Sequence, residues 1–389
     1  MKGRLVRDNI YMVGVQDWGR RLFDSLIPLP DGTSYNSYLI KGSEKTAIID
    51  TVDPPFEEEY LGNLEGVDKV DYIITLHSEQ DHSGSIPVLM QKYPQAEVIC
   101  SPKAKDLLIE HLLIPENKIR TMEDGETLSL GDKSLRFIHT PWVHWPETMV
   151  AYMPEERILF SCDFLGSHWT TSDLYANDHP EILLAAKRYY AEIMMPFRSM
   201  IRNNLQKIGE LDIELVAPSH GPIWDNPSTI IDAYTEWSSD EVQNTVVIPY
   251  ISMHGSVAKM VEYFSKELIA RGVKVELFDL AVTDIGKLAM SLIDAATIVI
   301  GTPTVHVGPH PIVANTAILA NAIKPKARFA AVIGSYGWAT KAVENLVALM
   351  PSLKFEVLGA VMCKGQAKKP TLKELSDLAD LIAEKHKTI

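Results

Sequence analysis

The stretch VDYIITLHSEQDHSGS (residues 70–85) decides how the chain is read. Its first half is an apolar run of strand length, rich in β-branched residues. Its second half sets His77, Glu79, Asp81 and His82 within six residues, directly beyond that strand. His77 and Glu79 share one alternation of an extended chain, while Asp81 and His82 fall on the turn leading to the next helix. A solvated loop is the bland alternative. A loop wrapped around two metal ions would use all four side chains, two per ion.

Working outward, three more candidates stand at or just after strand ends: His144 in TPWVHWPETM, Asp163 in LFSCDFLGS and His220 in VAPSHGP. Loops at one edge of a sandwich can converge, so seven ligands from four segments can meet there. Imidazole with carboxylate favours borderline and hard first-row cations. None of the three cysteines (Cys100, Cys162, Cys363) belongs to the set. Four histidines against three carboxylates give each ion three terminal ligands and leave one acid to bridge. A short acid on a strand end suits that task, and Asp163 is one. His168, close after Asp163, is a candidate pocket residue, and His139 a core or outer-sphere histidine. His111, His179 and His386 read as surface. Trp18, Tyr35, Trp142 and Trp145 lie near strand ends, where core packing is the commoner role.

Around this cluster, short β-type runs at 10–15, 37–42, 46–52, 96–101, 135–141, 149–154, 157–163 and 213–220 alternate with sparse helical segments. One helical segment spans about 180–209. Many strands with few helices predict a layered α+β sandwich. Beyond the polar stretch SSDEVQN (238–244) the rhythm becomes strict strand–helix alternation with near-continuous apolar strands, as in a parallel sheet covered on both faces. The expected domains are 1–243 and 244–389.

The first βα turn of the second domain, PYISMHGSVAKM, offers Ser252, Met253, His254, Gly255, Ser256 and Val257 ahead of a helix N-terminus, where the dipole favours a phosphate. Two further strand ends carry Pro303, Thr304, Val305, His306 and Gly308, and Ser335, Tyr336, Gly337 and Trp338. Gly and Thr allow close backbone approach to a planar ring, and ligands of doubly wound sheets bind beyond the carboxyl ends of the strands.

Length and composition are consistent with this. The 389 residues suit two domains, and a net charge of 37 − 51 = −14 argues against nucleic acid or an anionic membrane as partner. Three scattered cysteines argue against a disulfide framework and point to a reducing cytosol. The N-terminal residues lack the apolar core of a signal peptide, and no run long enough to span a membrane occurs.

HxExDH followed by single His, Asp and His at long spacings resembles the metallo-β-lactamase-like domain of flavodiiron proteins (A-type flavoproteins). Hydrolases of that superfamily show HxHxDH and bind zinc; here Glu79 stands at the second histidine, the mark of a non-haem di-iron site. The resemblance implies that His77, Glu79 and His144 hold one iron, Asp81, His82 and His220 the other, and that Asp163 bridges. The triple loop pattern of the second domain resembles the flavodoxin-like FMN domain of the same family. His254, Val257 and His306 depart from that family's pattern, and a missing hydroxyl at Val257 would weaken phosphate binding by about 1 kcal/mol. The implied activity is reduction of dioxygen to water, nitric oxide to nitrous oxide, or both. The implied donor is rubredoxin or a reduced deazaflavin, and the implied assembly a head-to-tail homodimer or a dimer of dimers. The alternative is a binuclear metallo-hydrolase with an accessory flavin domain.

Overall fold

A computed structural model describes residues 2–176 and 179–389. The chain divides into two compact units, Met1–Tyr190 with Phe197–Ser238, and Ala191–Pro196 with Ser239–Ile389.

The first unit is a sandwich of two sheets. One sheet has the order β1 (Arg4–Arg7), β2 (Ile10–Met12), β3 (Tyr38–Lys41), β4 (Thr46–Ile49), β5 (Tyr72–Ile74), β6 (Glu97–Cys100) and β7 (Ile119–Thr121). Its first four strands pair antiparallel and β4 to β7 pair parallel. The other sheet runs β8 (Thr127–Ser129), β9 (Ser134–His139), β10 (Met149–Met153), β11 (Ile158–Cys162) and β12 (Leu215–Pro218), with only β11 and β12 parallel. Side chains alternate across each strand, so Ile40, Ala47 and Ile49 of one sheet bury against Phe137, Ala151 and Phe160 of the other. The opposite face of the first sheet is covered by α1 (Glu57–Asn63), α2 (Ile86–Lys92) and α3 (Pro102–Leu112) through Tyr60, Leu89 and Leu108. Parallel neighbours end at the same edge. The loops after β4 and β5, and those after β11 and β12, therefore emerge together in pairs, which is the geometric basis of the site described below.

The single helix expected over 180–209 is broken. Helix α4 (Pro180–Tyr189) passes through a π turn at Tyr190–Met194 and a 3-10 turn at Met195–Phe197 before α5 (Arg198–Ile208). Pro196 has no N–H for the ladder, and its ring clashes with the preceding turn. Helix α6 (Pro227–Ser238) closes the unit.

The second unit is a five-stranded, all-parallel main sheet in the order β14 (Lys274–Asp279), β13 (Gln243–Tyr250), β15 (Ala295–Val305), β16 (Phe329–Tyr336) and β17 (Glu356–Lys364). This 2-1-3-4-5 order is the flavodoxin-like doubly wound arrangement. Helices α7 (Ser256–Ala270) and α11 (Lys369–His386) pack on one core, and α8 (Ile285–Leu292), α9 (Pro311–Ile323) and α10 (Ala342–Ala348) on the other. Both fold-class expectations hold: a metallo-β-lactamase-like sandwich is followed by a flavodoxin-like sheet.

His386 is a correction. It reads as surface in its polar context, yet it is buried in the last turn of α11, with Nε2 2.7 Å from Thr297 Oγ1 and Nδ1 2.8 Å from Asn244 Oδ1. The helix ends against the sheet, and the packed face includes that turn. His111 and His179 are exposed, as expected. Among the described residues no helix is long and apolar enough to cross a membrane.

Candidate metal centre

The HSEQDH segment leaves β5 and turns into one helical turn, Gln80–Ser83, with Glu79 as its N-cap. Thr51, just after β4, clamps that turn: its N–H and its hydroxyl both donate to the His82 carbonyl, at 2.6 and 2.7 Å. Asp50, also after β4, joins two loops. Oδ1 accepts the Leu76 N–H at 2.8 Å and Oδ2 accepts the Ser219 hydroxyl at 2.8 Å. The segments carrying His77 and His220 are thus tied to one buried carboxylate.

All seven predicted side chains come together. His77, Glu79, His144 and Asp163 form one group, and Asp81, His82 and His220 another. His77 Nε2 lies 3.1 Å from Glu79 Oε2 and 3.4 Å from Asp163 Oδ2, and His144 Nε2 lies 3.2 and 3.3 Å from the same two atoms. On the other side His82 Nε2 lies 3.0 Å from Asp163 Oδ1 and 3.4 Å from Asp81 Oδ1. His220 Nε2 lies 3.3 Å from Asp163 Oδ1 and 3.2 Å from Asp81 Oδ2. Asp163 therefore presents one oxygen to each group.

Those spacings fit bound cations. Two ligands at about 2.1 Å from one first-row ion stand roughly 3.0 Å apart at a right angle and roughly 3.4 Å apart at the tetrahedral angle. Both oxygens of Asp81, both ring nitrogens of His82 and Oδ1 of Asp163 are buried with no hydrogen-bond partner. Buried polar atoms left that way are costly unless an ion takes them up. Three carboxylates packed together also demand positive charge. Burial opposes charge on the imidazoles, but the acids outweigh it: Glu147 and Glu79 raise His77 well above its ordinary value, and Asp163 with Glu79 lifts His144 to about 9. Asp163 with Asp81 lifts His220 to about 10, and Asp163 itself, despite its burial, is held well below the usual carboxylate range by His82, His144 and His220.

The outer layer sets ring orientation. His77 Nδ1–H donates to Glu147 Oε1 at 2.8 Å, and His220 Nδ1–H donates to the Ser34 carbonyl at 2.6 Å, so each turns Nε2 to the centre. Trp145 packs edge-on to His77 at 5.0 Å between ring centroids, and Tyr35 and Phe23 lie 5.9 and 6.5 Å from His220. His168 is buried between His220 and Tyr189, at 4.8 Å from each, with Nδ1 2.8 Å from Thr33 Oγ1. Burial, then His220, pushes its pKa well down. His139 is half-buried, with Nε2 3.0 Å from the Met122 carbonyl, and Trp18 and Trp142 are exposed. Sequence reasoning missed Glu147 and the tie made by Asp50. The signal for Glu147 was its place three residues after His144 in HWPET.

In the second unit the three candidate loops sit at one end of the sheet, because the parallel register sets Tyr250 beside Gly301 and Pro303 beside Ser335. Gly255 caps α7 at φ +79°, a left-handed conformation that favours glycine. The Ser252 hydroxyl accepts the Ala258 N–H at 3.1 Å, and Ser256 Oγ meets Ser335 Oγ at 2.8 Å, joining the first loop to the third. Thr304 and Thr340 hydroxyls bond at 2.8 Å, and His306 and Val307 form the left-handed turn of a tight hairpin that pairs Val305 with Gly308. Met253 and Trp338 are exposed, His254 and Gly337 likewise, and Tyr336 is half-buried. The Val257 side chain is fully buried in the core with Met260 and Phe264.

Comparison with known proteins agrees with this geometry. A family model described as ODP family beta lactamase matches residues 33–221. The chain is 35% identical over 362 residues to a nitric oxide reductase of Moorella thermoacetica, covering 91% of this chain and 90% of the relative. It is 31% identical over 391 residues to an anaerobic nitric oxide reductase flavorubredoxin of Vibrio vulnificus, covering 97% of this chain and 79% of the relative. The rubredoxin oxygen:oxidoreductase of Desulfovibrio gigas superposes with a TM-score of 0.95 at 27% identity over 99% of both chains. The flavodiiron protein of Giardia intestinalis does so at 0.90 and 26%, over 99% of this chain and 98% of its own. This chain belongs to the flavodiiron protein family, oxidoreductases that carry FMN and a non-haem di-iron centre.

Proposed function

We propose that His77, Glu79 and His144 hold one iron, that Asp81, His82 and His220 hold the other, and that Asp163 bridges them. The pair reduces dioxygen to water, nitric oxide to nitrous oxide, or both, with electrons from FMN seated on the loops at 252–257, 303–308 and 335–338. The observation that carries the reading is the division of Asp163, whose Oδ2 faces His77 and His144 while Oδ1 faces His82 and His220.

When bound, two ferrous ions and a reduced flavin together supply the four electrons that dioxygen needs to become two waters. The chain's own residues prepare the site for that. Glu147 and the Ser34 carbonyl hold Nδ1–H of His77 and His220, leaving the Nε2 lone pairs toward the centre. Glu79 adds a hard oxygen ligand where a hydrolase of this fold has an imidazole, which favours ferric iron over zinc. The rings of Phe23, Tyr35, Trp145 and Tyr189 surround the histidines and limit water.

The protein acts in the cytoplasm as a head-to-tail homodimer or a dimer of dimers, fed by a rubredoxin or a reduced deazaflavin. Supporting the assembly, each unit exposes apolar side chains beside its candidate site: Trp18, Leu22 and Leu26 in the first, Met253 and Trp338 in the second. The test is metal analysis of the purified holoprotein, followed by anaerobic stopped-flow of the prereduced protein against each gas. Two irons per chain and rapid reoxidation of iron and flavin are expected. Two zincs with thioesterase or lactamase turnover would instead establish the hydrolase.

A further inference from the structure

The two proposed metal positions have matched inner side chains, two histidines and one terminal acid each, with Asp163 facing both. Their outer partners differ. His77 Nδ1–H donates to the carboxylate of Glu147, whereas His220 Nδ1–H donates to a neutral carbonyl, that of Ser34. On the second side His82 Nδ1 makes no hydrogen bond, and the nearby Asp50 has both oxygens engaged by Leu76 and Ser219.

Glu147 is built for this contact. It is buried, and Oε1 collects three donors: His77 Nδ1 at 2.8 Å, the Ser78 N–H at 3.1 Å and the Ser78 hydroxyl at 2.6 Å. Its backbone is pinned as well, since the Ser101 hydroxyl donates to its carbonyl at 2.6 Å. Oε2 has no hydrogen-bond partner, and among the described residues the only ion pair of Glu147 is with His77. Among the described residues no lysine or arginine forms an ion pair with it, and His77 is the cationic partner it meets. A carboxylate behind a metal-bound imidazole fixes its tautomer and makes it a stronger electron donor to the ion.

We propose that Glu147 is the positioning residue of His77 and makes the two irons unequal, the His77 iron being the harder of the pair to reduce. The inference rests on the ligand assignment proposed above. Losing the negative charge at Glu147 must ease reduction of that iron, while keeping the charge at a shorter reach must not.

The test is anaerobic redox titration of the holoprotein, followed by the EPR signal of the mixed-valence state, with iron affinity measured by chelator competition. In Glu147→Gln the second one-electron reduction is expected to shift at least tenfold toward the reduced site, about 59 mV for one electron. One of the two irons should also bind about tenfold more weakly. Glu147→Asp should stay within threefold of wild type in the redox equilibrium. A Glu147→Gln protein with two irons and unchanged steps overturns the proposal, as does an aspartate variant that shifts as far as the glutamine one. If Glu147→Gln does not fold, Ser78→Ala decides: without the hydroxyl donor, Glu147 pulls harder on His77 and the two steps move apart, and unchanged steps overturn the proposal. A wild-type protein without an iron pair would instead sink the ligand assignment itself.

Discussion

Gly221 backs onto Ser167: at φ +79°, a Cβ on Gly221 would lie 2.7 Å from the Ser167 carbonyl oxygen. The same two loops are tied by Ser167 N–H donating to the His220 carbonyl at 3.1 Å, so the segment after Asp163 and the segment carrying His220 lock together. Gly221→Ala must both strain a left-handed backbone and push these loops apart. It is expected to lower stability by about 1–3 kcal/mol and to weaken binding at the His220 metal position. Thermal unfolding with metal analysis checks both effects.

Asp163→Ala removes the acid that faces both side-chain clusters, the proposed bridge, while leaving the flavodoxin-like unit untouched. Losing an outer partner of a ligand typically lowers metal affinity about 10–100-fold, and losing a shared ligand costs at least as much. Iron per chain and gas consumption are expected to collapse, with FMN still bound and reducible. Metal content beside the flavin spectrum of the same sample reads this, and full gas reduction by the variant would contradict the bridge.

In the proposed assignment Glu79→His exchanges a half-buried hard ligand for a borderline one and lowers the negative charge of the site by one. Zinc is expected to gain on iron when both are supplied during expression. The zinc-to-iron ratio of purified variant and wild type is the measurement. An unchanged ratio would show that Glu79 does not set the preference.

His386 predicts a pH dependence in the second unit. Burial depresses its pKa below the ordinary value of 6.5, so the fold holds the neutral ring against Thr297 and Asn244. The unfolded chain binds the extra proton, so this contribution is complete above about pH 6.5 and is lost as pH falls toward the lower folded value. Urea unfolding followed through the flavin should show stability declining from pH 7.5 to 5.5. His386→Gln should flatten that decline.

Much of this protein is legible in one dimension. The side chains of the cluster and their order from His77 to His220, the change from sandwich to doubly wound rhythm, and the placing of Ser252, Pro303 and Ser335 at strand ends all follow from local periodicity. These are short-range signals, carried by a handful of neighbouring residues. Long-range relationships were not legible. Asp50 holds Ser219 across 169 residues, Glu147 holds His77 across 70, and His386 reaches Thr297 across 89. No pattern near Glu147 or His386 says which distant side chain it will meet. Parallel pairing of β4 with β5 and of β11 with β12 brings four strand ends to common edges. The loop before β10 meets the one after β5 there and makes an unremarked glutamate the partner of His77, while in the second unit the packing of α11 on its sheet makes a surface-looking histidine core. Sequence determined which atoms were available; tertiary structure decided which of them meet, because hydrogen bonds and charges act over a few ångströms of space, however far apart their owners lie along the chain.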